Sequence, residues 1–404
     1  MQASVGVSDD PDLGKASEAA VQEALSGCAD VHTLLLLVTH SYGREAFEAA
    51  ARSLQSLAPG ARHCAAGMVN GLAHGAERYD AMFNKRAAAV LAFGPQSAPA
   101  VAIVGDARAN AKGSGKTLVE LARVELGKLP SSGLLFTPGL GVGAPLIDQE
   151  ILDGMLDAAP LLRVAGTGLT RGMKVDGLAE PSLAFADGRF EEHGVLLLAF
   201  DERVRGRYAF ATGAQSGGAS FRLTETGGSV WKSAEGRRAR DVALDTLSQN
   251  DPVKRAHFAA NPAIAAAEHS VCLATRDGED YWCAPPIGFT PDGGVVAFYP
   301  MKPGTELHRV RLDSDCAIEA VKAAVAQLRR QTDQQSHELV ISFTCTMRGF
   351  TLGDRAMEET PTLLRELSPR VHLTVIANGE IGCKEGAVPR ATLWAYSLCS
   401  LNSA

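Results

Sequence analysis

A chain of 404 residues exceeds the size at which one hydrophobic core usually divides, so two domains are expected. Its 46% hydrophobic and 21% charged residues are ordinary for a globular protein. The net charge of −7 argues against nucleic acid and against an anionic membrane surface as partners, since both demand a basic footprint. No apolar run reaches the roughly 18–20 residues that span a bilayer. Residues 1–12 are polar and acidic, without the cationic head and apolar body of a leader, so the expected location is cytoplasmic.

In chain order, residues 1–29 read as a flexible lead-in. The run from His32 to Thr39 then predicts a strand and breaks at His40-Ser-Tyr-Gly43. A helix over Glu45–Leu57 follows, with Phe47, Ala50, Ala51 and Leu54 on one face. It stops at Pro59-Gly60 and leads to a short strand ending in Gly67-Met-Val-Asn-Gly71. A second segment of the same grammar begins at Gly133–Thr137, with a helix over Asp148–Ala158 and a strand over Leu161–Ala165. A third runs from a strand at Glu338–Thr344, through a helix over Glu358–Leu367, to a strand at Val371–Ala377 and the turn Asn378-Gly-Glu-Ile-Gly382. Strand, loop, helix, strand and glycine turn recur three times, and such units bury their sheet faces only by packing together. Between the second and third, Trp231–Asn261 reads as helical, followed by a hairpin series from Ser270 to Leu312 and a helix over Ala317–Arg330. The fold class expected is α/β with an α+β tendency: two related halves, residues 30–228 and 229–404, of mixed, largely antiparallel sheets flanked by helices.

The eight cysteines form no CxxC pair and read as reduced thiols, so no metal site is expected. Ala111-Lys-Gly-Ser-Gly-Lys-Thr117 imitates a phosphate-binding loop, but Asn110 stands where that loop needs glycine, and the alternative is a surface linker. The glycine-rich stretches Gly139–Gly143 and Gly213–Gly218 lack a dinucleotide-binding context and read as loops. At Asn378-Gly379-Glu380, the glycine permits a close backbone approach and Glu380 is expected to project at a strand end, where α/β folds gather ligands. Cys345 and Arg348 occupy the loop expected beside it. Arg348 is a candidate to pair with Glu380 or to clasp a ligand anion, and its charge would lower the Cys345 pKa. The bland alternative is a structural Arg–Glu bridge and an inert thiol. His40 holds the place corresponding to Cys345, with Asn70 its companion on the first glycine turn; a lone histidine there is more often a core residue than a ligand.

Phe343-Thr-Cys-Thr-Met-Arg-Gly-Phe350, followed by Asn378-Gly-Glu-Ile-Gly-Cys383, resembles the carboxyl-terminal signature of the FIST family, a Cys-x-x-Arg-Gly loop and a later Gly-Glu-Ile-Gly turn. The first unit, ending at Cys64-Ala-Ala-Gly67, looks like the amino-terminal FIST half. The resemblance implies a sensory, small-ligand or partner-binding signalling module. Its alternatives are a haem-based nitric-oxide sensor and a substrate-recruiting adaptor of the ubiquitin pathway, although no F-box fits before residue 30. The combined expectation is a non-enzymatic binding module without a cofactor. Cys345, Arg348, Asn378, Gly379, Glu380, Gly382, His40 and Asn70 form its ligand site, and a nucleotide-binding enzyme is the remotest alternative.

Overall fold

The computed structural model describes residues 1–139, 146–170, 181–331 and 337–404, so Leu140–Gly143 of the first glycine-rich stretch lie outside it. The fold is α/β, and three of its four sheets share one strand order. The first contains β1 (Ala3–Ser8), β2 (Thr33–Thr39), β3 (His63–Val69) and β6 (Ala88–Phe93), with α1 (Leu13–Gly27) and α2 (Arg44–Leu57) outside it. Between β3 and β6 the hairpin β4 (Gly71–His74) and β5 (Glu77–Asp80) leaves for another sheet. The second contains β7 (Ala100–Val104), α3 (Ala111–Leu126), β8 (Ser132–Thr137), α4 (Asp148–Ala158), β9 (Arg163–Gly168) and β12 (Val195–Phe200). Its departing hairpin is β10 (Leu183–Ala186) and β11 (Arg189–Glu192).

The third begins with β13 (Val204–Ala211) and is interrupted by a long insert. That insert comprises β14 (Gln215–Gly227), β15 (Val230–Ala234), β16 (Arg237–Arg238), α5 (Ala239–Ser248), α6 (Pro252–Ala260), α7 (Pro262–Glu268), β17 (Val271–Asp277), β18 (Asp280–Cys283), β19 (Pro286–Phe289), β20 (Val295–Ala297) and β21 (Glu306–Arg311). The plan resumes with α8 (Ser314–Arg330), β22 (Leu339–Cys345), α9 (Thr346–Leu352), α10 (Glu359–Leu367), β23 (Val371–Ala377), the hairpin β24 (Glu380–Gly382) and β25 (Arg390–Thr392), and β26 (Tyr396–Ser403).

Each strand–helix–strand segment closes as a parallel pair: β2 with β3, β8 with β9, and β22 with β23. Each departing hairpin docks antiparallel on another unit's parallel pair. β4 joins β23, β24 joins β9, and β10 joins β3, so the exchange runs in a ring. The inner faces meet in one core, where Leu35 and Leu37 of β2, Leu134 and Phe136 of β8, and Ile341 and Phe343 of β22 pack together. The alternate residues face outward onto helices: Leu34 and Leu36 onto α1 and α2, Leu135 onto α3 and α4, Val340 onto α8 and α10. A strand buried on both faces reads as a continuous apolar run, and this is why β2 was legible as Leu-Leu-Leu-Leu-Val. The helices α1, α3 and α8 start alike, with Asp12, Asn110 and Asp313 accepting from the backbone N–H three residues on, at 3.1, 3.0 and 2.9 Å.

Several expectations are corrected. Residues 1–29 hold β1 and α1, not a flexible lead-in. The whole of Ala111–Leu126 is helix α3, neither phosphate loop nor linker. Asn110 is its cap, and Lys112 and Lys116 pair with Asp157 at 3.0 and 3.1 Å. The segment Trp231–Asn261 starts with strand before α5 and α6. The boundary at 228/229 falls in the turn of the β14–β15 hairpin, and strands from its two sides share sheets elsewhere.

Candidate functional site

The ring of exchanges creates junctions where a bend leaving one parallel pair passes the helix-bearing end of the next. The register aligns them. Thr39, Thr137 and Cys345 each close their strand opposite Val69, Gly168 and Ala377. His40 therefore corresponds to Thr346, not to Cys345 as expected, an offset of one residue. Asn70 and Asn378 do correspond, each being the first residue of its bend. Six of the eight expected site residues consequently divide between two junctions that share the β22–α9 turn, His40 and Asn70 at the first and Cys345, Asn378, Gly379 and Glu380 at the second.

At the first junction, Asn70 donates from Nδ2 to Thr346 Oγ1 at 2.6 Å, and Thr346 Oγ1 donates to the Ala377 carbonyl at 3.2 Å. His40 and Asn70 line a cavity of about 360 Å³ together with Arg78, Asp80, Thr346 and Met82. Burial lowers the pKa of His40, which keeps the ring neutral at pH 7.

At the second junction, Glu380 opens β24 fully buried, not projecting into solvent. Its Oε2 accepts from the Ala395 N–H at 3.2 Å, while Oε1 has no partner among the described residues. Burial pushes the Glu380 carboxyl well above the usual range, which favours its protonated form. Beside it the Cys345 thiol is raised as well, by burial first and then by the Glu380 charge. This reverses the expected activation: Cys345 is a protonated, poorly nucleophilic thiol. Asp148, in the first turn of α4, completes the group. It is fully buried, neither oxygen has a partner among the described residues, and burial lifts its pKa to about 6 despite the charge of Arg108. The Thr137 hydroxyl lies near Asp148 without completing a hydrogen bond. Gly379 makes the closeness possible. Its φ of 90° suits glycine, and a β-carbon there would stand 3.3 Å from Asp148 Oδ2.

The insert roofs this junction. Leu146 and Cys345 belong to the insert's own core with Trp231, Leu273 and Leu307, and Phe298 accepts a backbone bond from Leu146. Tyr299 turns its hydroxyl inward, without a partner among the described residues, toward Asp148, Glu380 and Cys345. The same side chain walls a cavity of about 520 Å³ lined also by Gln149, Trp282, Met301, Lys302 and Arg390.

Arg348 belongs to neither cavity. It is 1% exposed, and its fork is spent on Glu359, with Nε and Nη2 at 3.0 and 2.7 Å from Oε1, and on the carbonyls of Ala317 and Trp394. The expected Arg348–Glu380 pair is therefore not formed. Glu359 takes the arginine and also accepts from Thr344 and Arg78. Gly382 is a packing glycine, since a β-carbon would lie 2.4 Å from Ser397 Oγ. Asn378 is half-buried. Sequence reasoning missed Asp148, Tyr299 and Glu359. Asp148 and Glu359 read as ordinary first-turn acids that complement a helix dipole, and nothing local to either announces its burial.

An α/β scaffold with polar groups gathered at strand-end junctions beside cavities is a setting suited to binding a small ligand. Residues 241–383 match the family model of the FIST C domain. The matched stretch holds most of the insert, α8, the Cys345 turn, Arg348, Glu359 and the bend through Glu380. No curated protein matches the chain. Among the described residues no helix is long and apolar enough to cross a membrane.

Proposed function

We propose that the chain is a non-enzymatic sensory module that recognises a small, nitrogen-bearing molecule at the junction of Asp148, Glu380, Tyr299 and Cys345, entered from the cavity behind Tyr299. The observation that carries this reading is the concentration, at one place, of buried polar atoms without a partner among the described residues: both Asp148 oxygens, Glu380 Oε1 and Tyr299 Oη. A buried polar group without a partner costs roughly 1–3 kcal/mol, and natural folds carry few of them. At pH 7 Asp148 is largely ionised and accepts, while burial favours the protonated, donating forms of Glu380 and Tyr299. An amine or amide complements that set. The Cys345 thiol, kept protonated, suits the wall of a recognition site better than a nucleophile. The amino-terminal half, built on the same strand order, is read as the companion FIST half, and binding at a junction between units gives a signal a route into both.

Native mass spectrometry of protein purified from its own cell tests the proposal. A co-purifying small molecule, depleted about tenfold in Asp148→Asn and Tyr299→Phe, is the expected result. Equal occupancy in all three proteins would remove the site. Conversion of that molecule on prolonged incubation would overturn the non-enzymatic reading.

A further inference from the structure

The first junction is the open counterpart of the second. The insert between β13 and α8 roofs the junction at Cys345, whereas the corresponding connection between β1 and α1 spans only Asp9–Asp12 and builds no roof over His40. The cavity of about 360 Å³ therefore opens to solvent at an apolar rim. Met82 and Phe350 stand on that rim, 40% and 53% exposed, and they are two of the few large apolar side chains exposed among the described residues. Ile376 and the neutral His40 ring line it further.

The polar wall is one-sided. Asp80 is occupied: Oδ2 accepts from Arg78 Nε at 2.7 Å, and Oδ1 from the Phe83 N–H at 3.2 Å. Arg78 Nη1 donates to Glu359 and the Ala356 carbonyl, both at 3.4 Å. Arg78 Nη2 has no acceptor among the described residues and lies beside Gly349 on the cavity wall, 3.2 Å from where a β-carbon on that glycine would sit. An unspent guanidinium nitrogen is a donor in search of an oxygen, and a carboxylate is its best geometric match.

We propose that this cavity is a second binding site, separate from the acid cluster, for a small organic acid whose carboxylate meets Arg78 Nη2 and whose apolar body lies against Ile376, Met82 and Phe350. The proposal goes beyond the function proposed above: the two sites have opposite polarity, one rich in carboxyl groups and the other presenting a cation, so either stands if the other fails.

Isothermal titration calorimetry with 3-phenylpropanoate tests it, with 3-phenylpropan-1-ol and 3-phenylpropan-1-amine as matched probes. The expected result is one saturable site per chain for the acid, at least about tenfold tighter than for the alcohol or the amine. Gly349→Ala places a methyl 3.2 Å from Arg78 Nη2 and 3.5 Å from Met82 Cε, crowding the guanidinium's open side without removing a polar group, at a helical position where alanine is intrinsically favoured over glycine. It should weaken the acid at least about fivefold. Met82→Trp, on the exposed rim, should do the same should the alanine variant misfold. Asp148→Asn should leave acid binding unchanged. Equal affinity for the three probes, no heat with any of them, or unaltered acid binding in a folded Gly349→Ala or Met82→Trp variant each overturns the inference.

Discussion

Asp148 shows how a single side chain signals use through instability. Its carboxyl has a folded-state pKa of about 6 against an ordinary 3.8, because burial disfavours the charge. The folded state therefore holds this proton more tightly than the unfolded chain does. The resulting contribution is fully present below pH 3.8 and is lost as pH rises through about 6. The ligand-free protein should accordingly gain stability between pH 7.5 and pH 5 from this group. Asp148→Asn should be more stable than the parent at pH 7.5, by about 1–3 kcal/mol, with the difference shrinking at pH 5. Urea midpoints at the two pH values check this; a variant less stable than its parent at pH 7.5 would mean that Asp148 is satisfied in the fold and has no recognition role. A residue that costs stability where it sits is the usual mark of a binding or catalytic position. Arg348 is the opposite case. Buried and paired with Glu359 on one oxygen at 2.7 and 3.0 Å, it belongs to the framework, and its removal would leave the buried Glu359 with only the longer 3.4 Å contact to Arg78 to balance its charge.

At the scale of elements, the parallel pairs and their helices were legible because local chemistry and tertiary role coincide. The helices over Asp148–Ala158 and residues 359–367 and the strand over Val371–Ala377 fall where periodicity placed them, within a residue. Residues 111–117 were not legible, because two requirements conflict there. Gly113 and Gly115 look like loop formers, yet they lie inside α3. A β-carbon on Gly115 would stand 2.1 Å from the Ile151 carbonyl oxygen, and one on Gly154 of α4 would stand 2.0 Å from that of Lys112. The glycines let two helix backbones touch, a long-range demand with no local signature. Gly115→Ala improves intrinsic helix propensity by about 1 kcal/mol yet should destabilise the protein by about 1–3 kcal/mol through overpacking. Thermal melts decide between the two effects, and a rise in Tm would show that α3 and α4 do not need the close approach. The site was half legible for a similar reason. The bend at Gly379-Glu380 and the turn at Cys345 announce themselves by glycine and position, but their companions Asp148 and Tyr299 come from a different unit and from the insert.

For the whole molecule, the ring of exchanged hairpins ties the parts into one. β4 lies against β23, β24 against β9 and β10 against β3, so neither side of a cut at residue 228 retains complete sheets. Fragments 1–228 and 229–404 expressed separately should each lack a cooperative unfolding transition, and mixing them during refolding should restore one. Calorimetry of each fragment and of the mixture checks this. A sharp independent transition in either fragment alone would show that the shared strands are dispensable.

The ring also has a consequence on the ribosome. Leu72 of β4 pairs with Val375 of β23, about 300 positions later. At roughly 5–20 residues per second, the first hairpin waits on the order of 15–60 s after it emerges before its neighbour exists. Throughout that interval β4 presents an unpaired apolar edge, so the nascent chain is exposed to aggregation until its last unit is made, and its yield in the cell depends on whatever shields that edge during translation.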